Sequence, residues 1–112
     1  MKLVTAVLRP EILGKVREAL CDVDIPGMTV SDVKGFGKQK GHTELYRGTE
    51  FTVEFVPKVK LEIAISKKNL DLLIKTISDI ACSGQKGDGK IFVTDIEKVV
   101  RIRTGETDHD AL

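Results

Sequence analysis

The stretch that follows Pro57 limits the fold more than any other. From Lys58 to Ile65, apolar Val59, Leu61, Ile63 and Ile65 alternate with Lys58, Lys60, Glu62 and Ala64. A period of two sends successive side chains to opposite faces, so this is a strand with one apolar face and one largely charged face. Such a strand needs cover on one side only. The cover is close at hand: Ser66 is placed to cap a helix in which Leu70, Leu73, Ile74, Ile77 and Ile80 recur at helical spacing.

The same logic runs through the first half of the chain. Leu3 to Leu8 is a nearly continuous apolar run, expected as a central strand, and Arg9-Pro10 ends it. Proline suits the first turn of a helix, where its missing N–H is not needed. Ile12, Leu13, Val16, Leu20 and Val23 follow at helical spacing, and Pro26-Gly27 is a turn signal. Met28 to Phe36 is rich in β-branched residues and reads as a second strand. Ile91 to Val93 reads as a fourth, with a short fifth expected over Val99–Arg103 and a loosely held polar tail from Thr104 to Leu112. The resulting order is an α+β, ferredoxin-like β-α-β-β-α-β sandwich, with helices on one sheet face. Over 112 residues this makes a single domain, 1–112.

Two segments break the pattern. Gly37 to about Phe55 opens with eight polar or glycine residues and no periodicity, and loops this long in a compact domain are usually functional or mobile. A second glycine-rich loop, about 82–90, contains Gly84-Gln85-Lys86-Gly87-Asp88-Gly89-Lys90. Glycines let backbone N–H groups turn toward an anion, and both loops carry lysines. In the C-terminal segment, about 101–112, Arg101-Ile102-Arg103 would place two guanidinium groups on one face of an extended stretch, as phosphate recognition favours. Neither loop is a Walker P-loop.

Other functions find little support. The net charge of +1 gives no global field for nucleic acid or an anionic membrane, so an anion site must be built locally. Lys34-Gly35-Phe36-Gly37 resembles the opening of an RNA-recognition signature, but the strand aromatics that should follow are missing. His42 falls in the long loop and His109 in the tail, and no nucleophile–base pair or metal cluster is apparent. Cys21 and Cys82 are far apart and read as free thiols. The apolar start stops at Arg9-Pro10, too short for a signal peptide, and no stretch could span a bilayer, so the cytoplasm is the expected address.

The two loops and the C-terminal segment also carry a resemblance. Val30 through Glu44, Ser83 through Val93, and Arg101-Ile102-Arg103-Thr104-Gly105-Glu106 resemble three signature segments of the PII nitrogen-signalling family. The likeness extends over Met1 to Leu112. The start Met1-Lys2-Leu3-Val4 and the end Asp110-Ala111-Leu112 lean toward the subtype paired with an ammonium transporter. The resemblance implies a non-enzymatic homotrimeric sensor with nucleotide sites in the clefts between subunits.

By that resemblance, Gly35, Phe36, Gly37, Lys38, Gly87, Asp88, Gly89, Lys90, Arg101 and Arg103 surround ATP or ADP, and Thr29, Glu62 and Ala64 contact the adenine side. Gly37, Lys38, Gln39, Lys40, Gly41, Lys58 and Gly87 serve 2-oxoglutarate, with Gln39 on an Mg²⁺ ion held by the ATP phosphates. Tyr46, Arg47 and Gly48 at the loop tip engage a partner such as an ammonium transporter, which would recruit the protein to the inner membrane. One position departs from the family: the usual uridylylated tyrosine is Phe51, which has no phenolic oxygen, so that modification is expected to be absent here. The competing expectation is a small ATP-dependent phosphotransferase or ATPase using the same clefts.

Overall fold

The computed structural model describes residues 1–36 and 54–112. Four strands and two helices follow the expected order: β1 (Lys2–Leu8), α1 (Leu13–Cys21), β2 (Thr29–Gly35), β3 (Val56–Ile65), α2 (Leu70–Ala81) and β4 (Lys90–Asp95). The strands form one sheet in the order β2-β3-β1-β4, every neighbouring pair antiparallel. This is the ferredoxin-like β-α-β-β-α-β arrangement.

The register shows why the alternation in β3 matters. Leu61 lies opposite Ala6 on β1 and Val30 on β2, and Ile63 lies opposite Val4. Directly opposed residues share a sheet face. Val4, Ala6 and Leu8 therefore join Val59, Leu61, Ile63 and Ile65 on one side, where Val16 and Leu20 of α1 and Leu73 and Ile77 of α2 pack on them. All of these side chains are buried, each contributing about 1.5–3 kcal/mol for the larger ones. The opposite face carries Leu3, Thr5, Val7, Lys58, Lys60, Glu62, Ala64, Lys90 and Phe92, and no helix among the described residues covers it. The edge strand β4 leaves Phe92 and Val93 exposed.

Several boundaries differ from expectation. Pro10–Ile12 forms a 3₁₀ turn, and α1 ends at Cys21, so Val23 falls outside it. Pro26 excludes the helical region for Ile25, so the chain must straighten before it. Ser66 does not cap α2: it precedes a 3₁₀ turn over Lys67–Asn69, Asn69 holds the capping position, and its Nδ2 donates to Ser66 Oγ at 3.4 Å.

The C-terminal segment is the larger correction. No fifth strand forms over Val99–Arg103, and the tail is tied down. Val100 and Thr107 make an isolated antiparallel bridge, Arg101 N–H donates to Glu106 O at 2.8 Å, and Gly105 N–H donates to Arg101 O at 2.7 Å. Gly105 (φ 78°) and Asp108 (φ 56°) adopt left-handed conformations that close a turn and that no strand contains. Asp108 brackets Val99, donating its N–H to Val99 O at 2.8 Å while its Oδ1 accepts from Val99 N–H at 3.2 Å. A short 3₁₀ helix, Asp108–Ala111, completes the segment.

Because Leu61 is fully buried at the centre of the sheet, Leu61→Ala is expected to lower stability by about 2–5 kcal/mol. Urea unfolding checks this, and a loss below about 1 kcal/mol would contradict the packing described.

Candidate functional site

Loop 82–89 joins α2 to β4, and its shape is dictated from both ends. Gly89 (φ 105°) passes so close to β1 that a Cβ there would lie 1.9 Å from Val7 O and 3.3 Å from Leu8 Cα. Only glycine permits that approach. Gly87 (φ 99°) is also left-handed, and a Cβ on it would meet Arg9 Nε and Lys58 Nζ, each at 3.7 Å.

The centre of the loop is the Asp88 carboxylate. Its Oδ2 accepts the N–H groups of Ser83 at 2.7 Å and Gly84 at 3.0 Å; its Oδ1 accepts Ser83 Oγ at 2.5 Å and Arg9 Nη2 at 2.6 Å. Arg9 Nη2 also approaches Ser83 Oγ at 3.2 Å and Lys86 O at 3.4 Å. Gln85 N–H donates to Ser83 Oγ at 3.3 Å. The Ser83 hydroxyl and N–H, then Gly84 and Arg9, hold the Asp88 carboxyl below the ordinary carboxylate range. The loop's first half thus wraps an anion, as its glycines promise, but the anion is its own Asp88.

Lys58 enters from β3. Its Nζ donates to Gly87 O at 2.9 Å, and its stem lies 3.9 Å from where a Gly35 side chain would begin. Gly35 is the last residue of β2 and faces Val56 across the sheet. Lys58, Lys60 and Lys90 share the open face at this end, with Arg9 beside them. A locally cationic, glycine-lined corner therefore exists in a chain whose net charge is only +1.

The remaining expected residues divide into four groups. Thr29 pairs directly with Glu62, and Ala64 follows two residues along the same face, so these three lie about 13–20 Å down β3 from Lys58. Phe36 is exposed and packs edge-to-face on Phe55 at 5.5 Å. Arg101 and Arg103 do not join the corner within one chain. The loop enters β4 at Lys90, and the C-terminal segment leaves from the far end, where Asp95 pairs with Lys2 and Ile96 N–H donates to Met1 O. Nor do they lie on one face of an extended stretch. Arg101 turns inward to Glu106 Oε1 at 3.2 Å, Leu112 O at 3.1 Å and Ala111 O at 3.4 Å, whereas Ile102, beside it, is 98% exposed. Gly37, Lys38, Gln39, Lys40, Gly41, Tyr46, Arg47, Gly48 and Phe51 lie outside the described residues.

Sequence reasoning passes over Arg9, reading it only as the end of a strand. The signal was there: β1 and β4 are antiparallel, so the residue that ends β1 sits beside the loop that opens β4. Pro10 helps fix it, since a residue before proline is held extended, and Arg9 has φ −67° and ψ 141°.

The fold and this corner define a small α+β domain with a preformed, cationic, glycine-rich loop. Among the described residues, no cluster of three or more His, Cys, Asp or Glu could hold a metal ion, and no helix is long and apolar enough to cross a membrane. Comparison with known proteins specifies the class. The family model "Nitrogen regulatory protein P-II" matches residues 1–106. Over all 112 residues, and the full length of each relative, the chain is 55% identical both to the nitrogen regulatory protein P-II of Pasteurella multocida (strain Pm70) and to the nitrogen regulatory protein GlnK of Escherichia coli (strain K12). The solved structure of B. subtilis GlnK superposes with a TM-score of 0.84 at 39% identity, covering 99% of this chain and 97% of that one. The chain belongs to the P-II family of nitrogen regulatory proteins, and is a signalling regulator rather than an enzyme.

Two consequences follow for the loop. Gly89→Ala is expected to destabilise the protein by at least about 2 kcal/mol, because both the Val7 carbonyl and the positive φ oppose a side chain; an unchanged urea midpoint would contradict this. The second concerns pH. Asp88 has a folded pKa below its unfolded value of about 3.9, so its contribution is present above that value and is lost as pH falls through the folded pKa. Asp88→Asn is therefore expected to be less stable than the parent at pH 6 and to show a shallower loss of stability below about pH 4. Parallel pH profiles would argue against the clasp.

Proposed function

We propose that the protein is a homotrimeric sensor of ATP, ADP and 2-oxoglutarate that acts on nitrogen-metabolism partners. The carrying observation is the contact between Lys58 and the Gly87 carbonyl, beside Arg9, at the base of segment 37–53. Two cations and a glycine loop meet there, a setting suited to a ligand with several negative charges.

The nucleotide spans the open face. Its phosphates meet Gly87, Gly89, Lys90 and the neighbouring Gly35 end, while the adenine lies toward Thr29, Glu62 and Ala64. The one-chain geometry supports a cleft between subunits: loop 82–90 and Arg101–Arg103 leave β4 at opposite ends, so both can reach the same phosphates when supplied by different copies. The uncovered sheet face, with Leu3, Val7 and Phe92 beside its charges, is the surface on which copies would associate.

Magnesium would arrive with the ATP phosphates, as that ion usually does, with Gln39 as a further ligand. 2-Oxoglutarate would bind that ion through its keto acid end and place its far carboxylate at Lys58, with residues 37–41 around it. Linkage then couples nucleotide and keto acid occupancy to the loop that carries Tyr46, Arg47 and Gly48. An ammonium transporter is the partner we assign to that tip. It would draw a cytoplasmic trimer to the inner membrane.

Calorimetric titration of 2-oxoglutarate, with and without Mg-ATP, tests the reading. Binding is expected only when Mg-ATP is present, and Lys58→Met should weaken keto acid binding about tenfold or more. Absence of ATP binding would sink the proposal. ATP turnover near about 1 s⁻¹ would replace it with an enzymatic reading.

A further inference from the structure

We infer that Asp88 is the positioning residue of the phosphate loop, held by Arg9 and Ser83, and not a ligand contact. The inference rests on the nucleotide reading above and changes the part that Asp88 plays in it. The Asp88 side chain is turned back into the loop, and its two oxygens already receive four donors from Ser83, Gly84 and Arg9. A carboxylate so engaged has little capacity left for a ligand, and its negative charge would oppose a phosphate that approached it directly.

Its position explains what it does instead. Asp88 lies between Gly87, whose carbonyl is held by Lys58, and Gly89, which is wedged against the Val7 carbonyl. With Asp88 bound to Ser83 and Gly84 at the end of α2, both ends of the loop are tied together across four or five residues. Arg9 adds the long-range link. It comes from the end of β1, 79 residues away in sequence, and fastens the clasp to the central sheet. The Ser83 hydroxyl completes it, donating to Asp88 Oδ1 while standing within 3.2 Å of the Arg9 guanidinium. Residues 86–90 are thereby arranged before any ligand arrives, which lowers the ordering cost of binding.

Arg9 is close to the ligand corner, so a direct contact must be separated from an indirect one. A double-mutant cycle does this. ATP is titrated calorimetrically, without 2-oxoglutarate, into the full-length parent and its Arg9→Leu, Asp88→Asn and Arg9→Leu/Asp88→Asn variants, with urea midpoints confirming that each is folded. Each single change is expected to weaken ATP about tenfold, and the double change by about the same tenfold, because both remove one clasp. Arg9→Lys, which keeps a donor for Asp88, should recover much of the affinity. A double variant weakened about a hundredfold would overturn the inference, since Arg9 and Asp88 would then act independently, as would single variants that bind like the parent.

A second readout requires no ligand. Amide hydrogen exchange at Ser83 and Gly84 should accelerate in both Arg9→Leu and Asp88→Asn, and unchanged exchange would overturn the clasp. Failure of the parent itself to bind ATP would fall on the nucleotide reading, while exchange at these two amides would still decide whether the clasp holds the loop.

Discussion

Among the described residues the two helices cover one side of the sheet only, and much of the structure depends on this. Alternation in β3 and β1 directs Val4, Ala6, Leu8, Val59, Leu61, Ile63 and Ile65 toward two helices. The same alternation obliges Lys58, Lys60, Glu62 and Thr5 to share the other face with Leu3 and Val7. A period-two pattern cannot bury one set without presenting the other. The presented face is mixed, cationic at one end, and flanked by the loop that enters β4. Under the proposed function, binding and self-association would draw on this one surface, making the assembly part of the sensor.

The second glycine-rich loop shows how such a face can hold a charged ligand without disorder. A flexible glycine loop would lose much conformational entropy on binding. Here that ordering is already done by Asp88, by the Lys58 bond to Gly87, and by the contact of Gly89 with the Val7 carbonyl. Signalling by linkage requires a rigid reader joined to a responsive element. Under the proposed function, the loop around Asp88 would supply the first.

How much was legible in the sequence depended on which interaction set each feature. Elements governed by local periodicity, such as β3 and the body of α2, were readable, although the start of α2 was displaced from Ser66 to Leu70 by a 3₁₀ turn. The end of α1 was not readable, because Pro26 and the aspartates before it outweigh an apolar Val23 at the right spacing. The C-terminal turn was missed because its cause is conformational: left-handed Gly105 and Asp108, and an Arg101 side chain satisfied by Glu106 and the last two carbonyls. Within the candidate site, Gly87 and Gly89 were legible as types suited to an anion, while Lys58 read only as an alternating strand lysine until the family resemblance gave it a role. The role of Arg9 was missed because it appears only once the pairing of β1 with β4 is followed to the end of the strand. The inward turn of Asp88 was hidden for a different reason: a carboxylate in a glycine loop reads equally well as ligand or as clasp until its donors are seen.

The central claim is that the cationic corner of one copy and the arginine segment of another complete a single nucleotide site. Subunit mixing tests it most directly. An Arg101→Ala/Arg103→Ala protein and a Lys90→Ala/Asp88→Asn protein, each deficient in ATP binding alone, are dissociated, mixed and reassembled. The account predicts that ATP binding returns in the mixed assemblies, because an intact corner then faces an intact arginine segment on its neighbour. Mixtures that bind no better than either parent would contradict it, placing both halves of the site in one chain.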